Sequence, residues 1–108
     1  MKDLIIDFKF NEPKLLEELS EYVAETYTEH YGNGLYQATD VILDAGHGEG
    51  FCIGNIIKYA KRYGKKEGKN RKDILKILHY GLIALSVHDS EVNNESKWRN
   101  IKSLTKFQ

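Results

Sequence analysis

Asn55, Lys58 and Arg62 are spaced three and then four residues apart, so a helix through them presents all three on one face. Their combined chemistry suits a phosphate-bearing ligand. An Arg guanidinium grips phosphate oxygens with a planar fork, and a Lys ammonium supplies a point charge. Asn adds a donor and an acceptor that fit a base edge or a sugar hydroxyl. Lys65 and Lys66 follow at once, and Tyr31, Tyr36, Tyr59 and Tyr63 offer rings on which a base could stack. The run Gly46-His47-Gly48-Glu49-Gly50 leads into the same helix, whose free N–H groups would favour an anion. The plainer alternative is a solvated face on an amphipathic helix with ordinary core tyrosines.

A second glycine-lysine run, Gly64-Lys65-Lys66-Glu67-Gly68-Lys69-Asn70, imitates a nucleotide-binding phosphate loop and fails as one. It has one residue too few between its glycines, ends in Asn where a hydroxyl must reach magnesium, and follows a helix where a strand is needed. Cys52 is the only cysteine, which rules out an internal disulfide and a cysteine zinc cluster. It falls on an apolar helix face, where a buried, inert thiol is expected. No two of the four histidines have metal-ligand spacing.

Carboxylates gather elsewhere. Glu17-Glu18-Leu19-Ser20-Glu21 resembles the Glu-Glu-x-x-Glu pattern of MazG-like helical nucleotide pyrophosphohydrolases, which hold magnesium against a triphosphate. Those enzymes add Glu-x-x-Asp on the next helix; here Gln37-Ala38-Thr39-Asp40 has Gln in place of the Glu, with Asp44 one turn on. Losing one carboxylate weakens a site for a hard cation. Under this alternative reading Glu18, Glu21 and Asp40 are the metal ligands.

The elements that position these groups are mainly helical. Leu15, Leu16, Leu19, Tyr22 and Val23 predict a helix over about 13–30, opened by Asn11-Glu12-Pro13. Leu35, Ala38, Val41, Ile42 and Ala45 predict a second over about 35–45. Cys52, Ile56, Tyr59, Ala60 and Tyr63 predict a third over about 51–63. Ile74, Leu75, Ile77, Leu78, Leu82 and Leu85 predict a fourth over about 70–87. Residues 4–10 alternate as a short strand or extended arm, with Ile6, Phe8 and Phe10 on one side. The expected architecture is a compact bundle of about four helices forming one domain over 1–87. Residues 88–96 read as a polar linker, and 97–107 as a short basic helix within the tail 88–108.

Charge is zero overall but unevenly placed. Residues 1–50 hold three lysines against eleven acids, and 51–80 hold nine basic residues against Glu67 and Asp73. The halves could neutralise one another within or between subunits, or the basic segment could serve an anion. A lone strand and a chain this short favour a homo-oligomer. No apolar run approaches a membrane span, the first residues do not read as a secretory signal, and the single cysteine fits a reducing cytoplasm. Duplex nucleic acid is a poor fit for a neutral chain with one short basic face.

Between residues 30 and 85 the chain resembles the SaV-like family of small bacteriophage proteins. The resemblance rests on His30-Tyr31, Gln37 to Val41, Phe51-Cys52-Ile53-Gly54-Asn55-Ile56-Ile57-Lys58-Tyr59, Arg62-Tyr63 with Lys65-Lys66, and Asp73 with Tyr80. The fourth helix departs from the pattern: Asp73-Ile74-Leu75-Lys76-Ile77 stands for Asp-Leu-x-Lys-Ala, and His79-Tyr80-Gly81-Leu82 for an aromatic-Tyr-Leu run. A phage nucleotide kinase without a Walker loop is similar to this family. The resemblance therefore implies a phage-encoded protein in the cytoplasm of an infected bacterium, with a nucleotide as ligand. It extends the nucleotide-binding set from Asn55, Lys58, Arg62, Lys65 and Lys66 to His30, Tyr31 and Tyr59. A nucleoside monophosphate kinase would need ATP and Mg2+, and a non-catalytic sponge for a nucleotide signal of host defence would need neither.

Overall fold

The computed structural model describes residues 5–29 and 35–105, with side chains described for 5–29 and 38–93. Its elements are all α-helices: α1 Glu12–Glu29, α2 Leu35–Asp44, α3 Gly48–Arg62 and α4 Arg71–Thr105. The mainly α architecture expected from periodicity is the one observed. The chain divides into two compact units, residues 1–36 and 37–108.

In the first unit, residues 5–11 form an irregular arm, not the strand that their alternation suggested. A single alternating segment has no ladder partner to make it a strand, and Ile6, Phe8 and Phe10 are all exposed. The arm turns into α1 at Asn11, whose φ of 62° is in the left-handed region that Asn tolerates. Glu12 closes the corner by accepting the Phe10 N–H at 2.9 Å. Within α1, Leu19 and Thr26 are buried and Tyr22 and Val23 half-buried, a stripe at helical spacing. The Thr26 hydroxyl donates to the Val23 carbonyl at 2.7 Å, which satisfies a polar group on that stripe.

The second unit is built on an antiparallel hairpin of α3 and α4, which make its main packing contact. α2 enters through a tight cap. Gly46 N–H donates to Leu43 O at 3.0 Å and His47 N–H to Ile42 O at 3.1 Å, while Gly46 has φ +89°. This is the paired bonding of a glycine-terminated helix, and it explains Gly46. Gly48 has a different reason. A Cβ built there would lie 2.9 Å from Val87 Cγ2 and 3.2 Å from Leu43 Cγ. Its missing side chain lets the start of α3 settle onto α4, so α3 begins at Gly48, before the expected Phe51.

α4 starts at Arg71 behind Asn70, whose Oδ1 accepts the Lys72 N–H at 3.0 Å as an N-cap. It does not end at 87. The segment 88–96, expected as a linker, continues the helix, and so does the backbone to Thr105. No Gly or Pro follows Gly81, so nothing in the sequence halts propagation. At 1.5 Å per residue α4 is about 30 Å longer than α3. No helix in the described residues is long and apolar enough to cross a membrane.

Candidate anion-binding site

The site lies where the C-terminal half of α3 runs beside the N-terminal half of α4. Tyr59 is its centre. Its ring stacks almost parallel on Tyr80 from α4, with centroids 6.1 Å apart and planes 13° apart. Phe51 meets the same Tyr80 edge-on at 5.7 Å. Such aromatic pairs fix ring orientation as well as burying area. Two ammonium groups converge on the Tyr59 ring: Lys58 Nζ and Lys76 Nζ each lie 4.8 Å from its centroid. Each cation is drawn to the ring quadrupole, but the two repel one another. They come from different helices and lie within twice that distance of each other. An anion held near either ammonium would offset part of that repulsion.

Lys58 belongs to the set expected from sequence. Lys76 does not; the signal for it was its membership of the basic segment, and only the hairpin brings it to Tyr59. Gly54 lies one turn before Lys58, and a Cβ built on it would meet no neighbouring element within 4 Å. Asn55 is half-buried, and its side-chain amide donates to the Phe51 carbonyl at 2.8 Å. One of its donors is therefore committed to its own helix.

Arg62 is held by acids. Its Nη2 lies 3.4 Å from Glu67 Oε2 and its Nε 3.6 Å from Asp73 Oδ1. Glu67 also accepts from the Asn70 amide at 3.3 Å. This network ties the end of α3 to the start of α4 and shapes the turn between them, closed by Gly64 N–H donating to Gly68 O at 2.8 Å. Gly64 and Gly68 both have positive φ, +82° and +70°, so the glycines that imitate a phosphate loop serve the turn. Lys65 and Lys66 project from that turn, exposed. His30 and Tyr31 lie outside the described residues.

The other end of the hairpin has the opposite charge. A cleft of about 420 Å³ is lined by Asp40, Asp44, Gly46, Gly48, Ser86 and Glu91, among others. The N-terminus of α3 therefore opens onto carboxylates, which satisfy its dipole in place of an anionic ligand. Among the described residues no three His, Cys, Asp or Glu side chains come together as a metal cage. Asp40 belongs to the second unit, Glu18 and Glu21 to the first. Cys52 is fully buried, and burial pushes its thiol pKa up, as suits an inert core sulfur. His79 is buried too, and desolvation pushes its pKa down.

These features define an all-α protein whose central hairpin presents a cationic, aromatic surface. The chain belongs to a family described as a protein of unknown function (DUF3310), whose model matches residues 25–81. The match spans most of α1's last two turns, α2, α3 and the part of α4 that carries Asp73, Lys76 and Tyr80. No curated protein and no solved structure matches the chain.

Proposed function

We propose that this protein binds a nucleotide through its phosphate at the α3–α4 hairpin. The observation that carries the proposal is the convergence of Lys58 and Lys76 on one face-stacked tyrosine. Two ammonium groups supply the charge for a phosphate, Lys65 and Lys66 extend the field along the turn, and the Tyr59–Tyr80 pair supplies a flat apolar surface for a base. Arg62 contributes by holding the turn that carries Lys65 and Lys66. The resemblance to small phage proteins, one of them a nucleotide kinase, agrees with this ligand and makes a phage-encoded nucleoside monophosphate kinase the enzymatic form of the proposal, with ATP and Mg2+ as co-reactants.

The test is to incubate the protein with deoxynucleoside mono- and triphosphates, with and without ATP and Mg2+, and to resolve the products by chromatography. Conversion of a monophosphate to a diphosphate establishes the kinase. Binding by calorimetry with the nucleotide returned unchanged establishes a non-catalytic sponge. Release of pyrophosphate from a triphosphate moves the chemistry to the acidic residues Glu18, Glu21 and Asp40. Absence of any nucleotide binding removes the proposal.

A further inference from the structure

The Arg62 guanidinium has two edges in different surroundings. Its Nε faces Asp73, which is buried, and its Nη2 faces Glu67, whose side chain is 58% exposed. Burial fixes the inner contact. The outer one is loose. Glu67 Oε2 lies 3.4 Å from Arg62 Nη2 and 3.3 Å from Asn70 Nδ2, whereas a well-made charge-assisted bond is about 2.7–2.9 Å. An exposed ion pair of this kind contributes little against water. Two donors, one from the end of α3 and one from the N-cap of α4, therefore converge on a carboxylate oxygen that little holds in place.

The position of that oxygen is a seat for an anion. Asp73 orients the charged donor, and the Asn70 amide is oriented because its Oδ1 caps α4 at the Lys72 N–H. Carboxylate and phosphate oxygens are gripped by the same donors. Between residues 51 and 72 Glu67 is the one acid against eight basic residues, so it fills the seat from within a segment whose charge otherwise draws an external anion. The seat also continues the site at Tyr59. Along α4, Tyr80, Lys76 and Asp73 step toward the helix start, and each meets a residue of α3, Tyr59 for the first two and Arg62 for the third. The order along the hairpin is therefore the tyrosine pair, then the Lys58 and Lys76 ammonium groups, then Arg62 with Asn70. A nucleotide with its base on the tyrosines and its first phosphate at the lysines carries any further phosphate toward Arg62.

We infer that Arg62 Nη2 and Asn70 Nδ2 form the seat for a second phosphate, which Glu67 fills until a nucleoside di- or triphosphate displaces it. The inference rests on the nucleotide-binding reading above and adds its substrate class. The test is calorimetry of the full chain with a deoxynucleoside monophosphate and the matching triphosphate, in a chelator and about 0.15 M salt. Glu67→Gln keeps an oxygen for the Asn70 amide and removes the charge. It should bind the triphosphate about fivefold more tightly than the parent does, the scale of an exposed ion pair. Its affinity for the monophosphate should change less than about twofold, because a charge beyond contact is screened at that salt. In an Arg62→Lys background, which keeps the charge and loses the fork, Glu67→Gln should no longer tighten the triphosphate. If Arg62→Lys does not fold, the contrast between the two nucleotides in Glu67→Gln decides by itself. Unchanged triphosphate affinity in Glu67→Gln overturns the inference and leaves the reading at Lys58 and Lys76 standing. Equal gains for both nucleotides overturn it too, since Glu67 then acts only as a distant charge, and so does a gain that survives Arg62→Lys. A parent and a Glu67→Gln variant that bind neither nucleotide overturn both readings.

Discussion

Arg62 Nε lies 3.6 Å from Oδ1 of Asp73, and Asp73 is 2% exposed. Asp73 Oδ2 and Arg62 Nε have no hydrogen-bond partner, and the ion pair with the guanidinium compensates a carboxylate removed from water. Taking away one member of such a pair leaves an uncompensated buried charge.

Arg62→Ala is therefore expected to cost about 3 kcal/mol of stability by denaturant unfolding. Asp73→Asn in the Arg62→Ala background should recover part of that loss. The sequence reading, in which Arg62 points freely at a ligand, would have the fold intact after Arg62→Ala. An unfolding midpoint unchanged by Arg62→Ala would return Arg62 to that role.

Lys58 and Lys76 are the cleaner probes of binding, because each is a charge over a ring and neither holds a buried acid. Lys58→Ala and Lys76→Ala should each weaken binding of a deoxynucleoside monophosphate by roughly tenfold or more, as loss of a charged hydrogen bond typically does. Both should leave stability within about 0.5 kcal/mol of the parent. Added salt should weaken binding less in each variant than in the parent, since one screened charge is gone. Isothermal calorimetry at two salt concentrations reads all of this; parent-like affinity in both variants would remove the site from the hairpin.

Gly48 and Gly54 lie in one helix and should respond to alanine with opposite signs. Gly→Ala inside a helix normally stabilises by about 1 kcal/mol, and Gly54, with nothing within 4 Å of its Cβ position, should show that gain. At Gly48 the new methyl would meet Val87 Cγ2 at 2.9 Å. Gly48→Ala should destabilise by about 1–3 kcal/mol, and Val87→Ala should relieve part of it. Thermal unfolding of the three variants decides. A stabilised Gly48→Ala would mean that α3 and α4 do not pack this closely.

The different fates of these glycines show what the sequence disclosed. Helical periodicity located α1 to α4 to within a few residues at their starts, because each apolar stripe repeats at helical spacing. In sequence Gly46 is only part of the glycine loop 46–50, and its role in ending α2 emerges from its positive φ and its paired hydrogen bonds. Gly48 was not legible either: a glycine that admits a neighbouring helix looks in sequence like one that loosens a loop. The end of α4 was also hidden, since polar composition suggested a linker although no residue between 82 and 105 breaks a helix. In the site, Lys58 could be read from the polar face of α3 and Tyr59 from its apolar stripe. Lys76 and Tyr80 are their neighbours through tertiary packing, and Arg62 carried no mark of its pairing with an acid eleven residues on.

His79 offers a prediction about pH. It is 9% exposed, and burial lowers its pKa below the ordinary 6.5. The folded chain therefore holds the neutral imidazole to a lower pH than the unfolded chain does. Between the folded pKa and about 6.5 the unfolded state binds the extra proton, so stability rises with pH across that window. The contribution of neutral His79 is complete above 6.5 and is lost as pH falls below it, until the folded pKa is reached. Any other group that binds more protons in the unfolded chain acts in the same direction, so the parent curve alone does not isolate the histidine. His79→Gln keeps a polar side chain of similar reach and cannot take up the proton. Its thermal midpoint should fall less than the parent's between about pH 7.5 and pH 5.5. If the parent and His79→Gln lose stability in parallel over that interval, the buried imidazole is not the group that titrates, and the acid sensitivity has another origin.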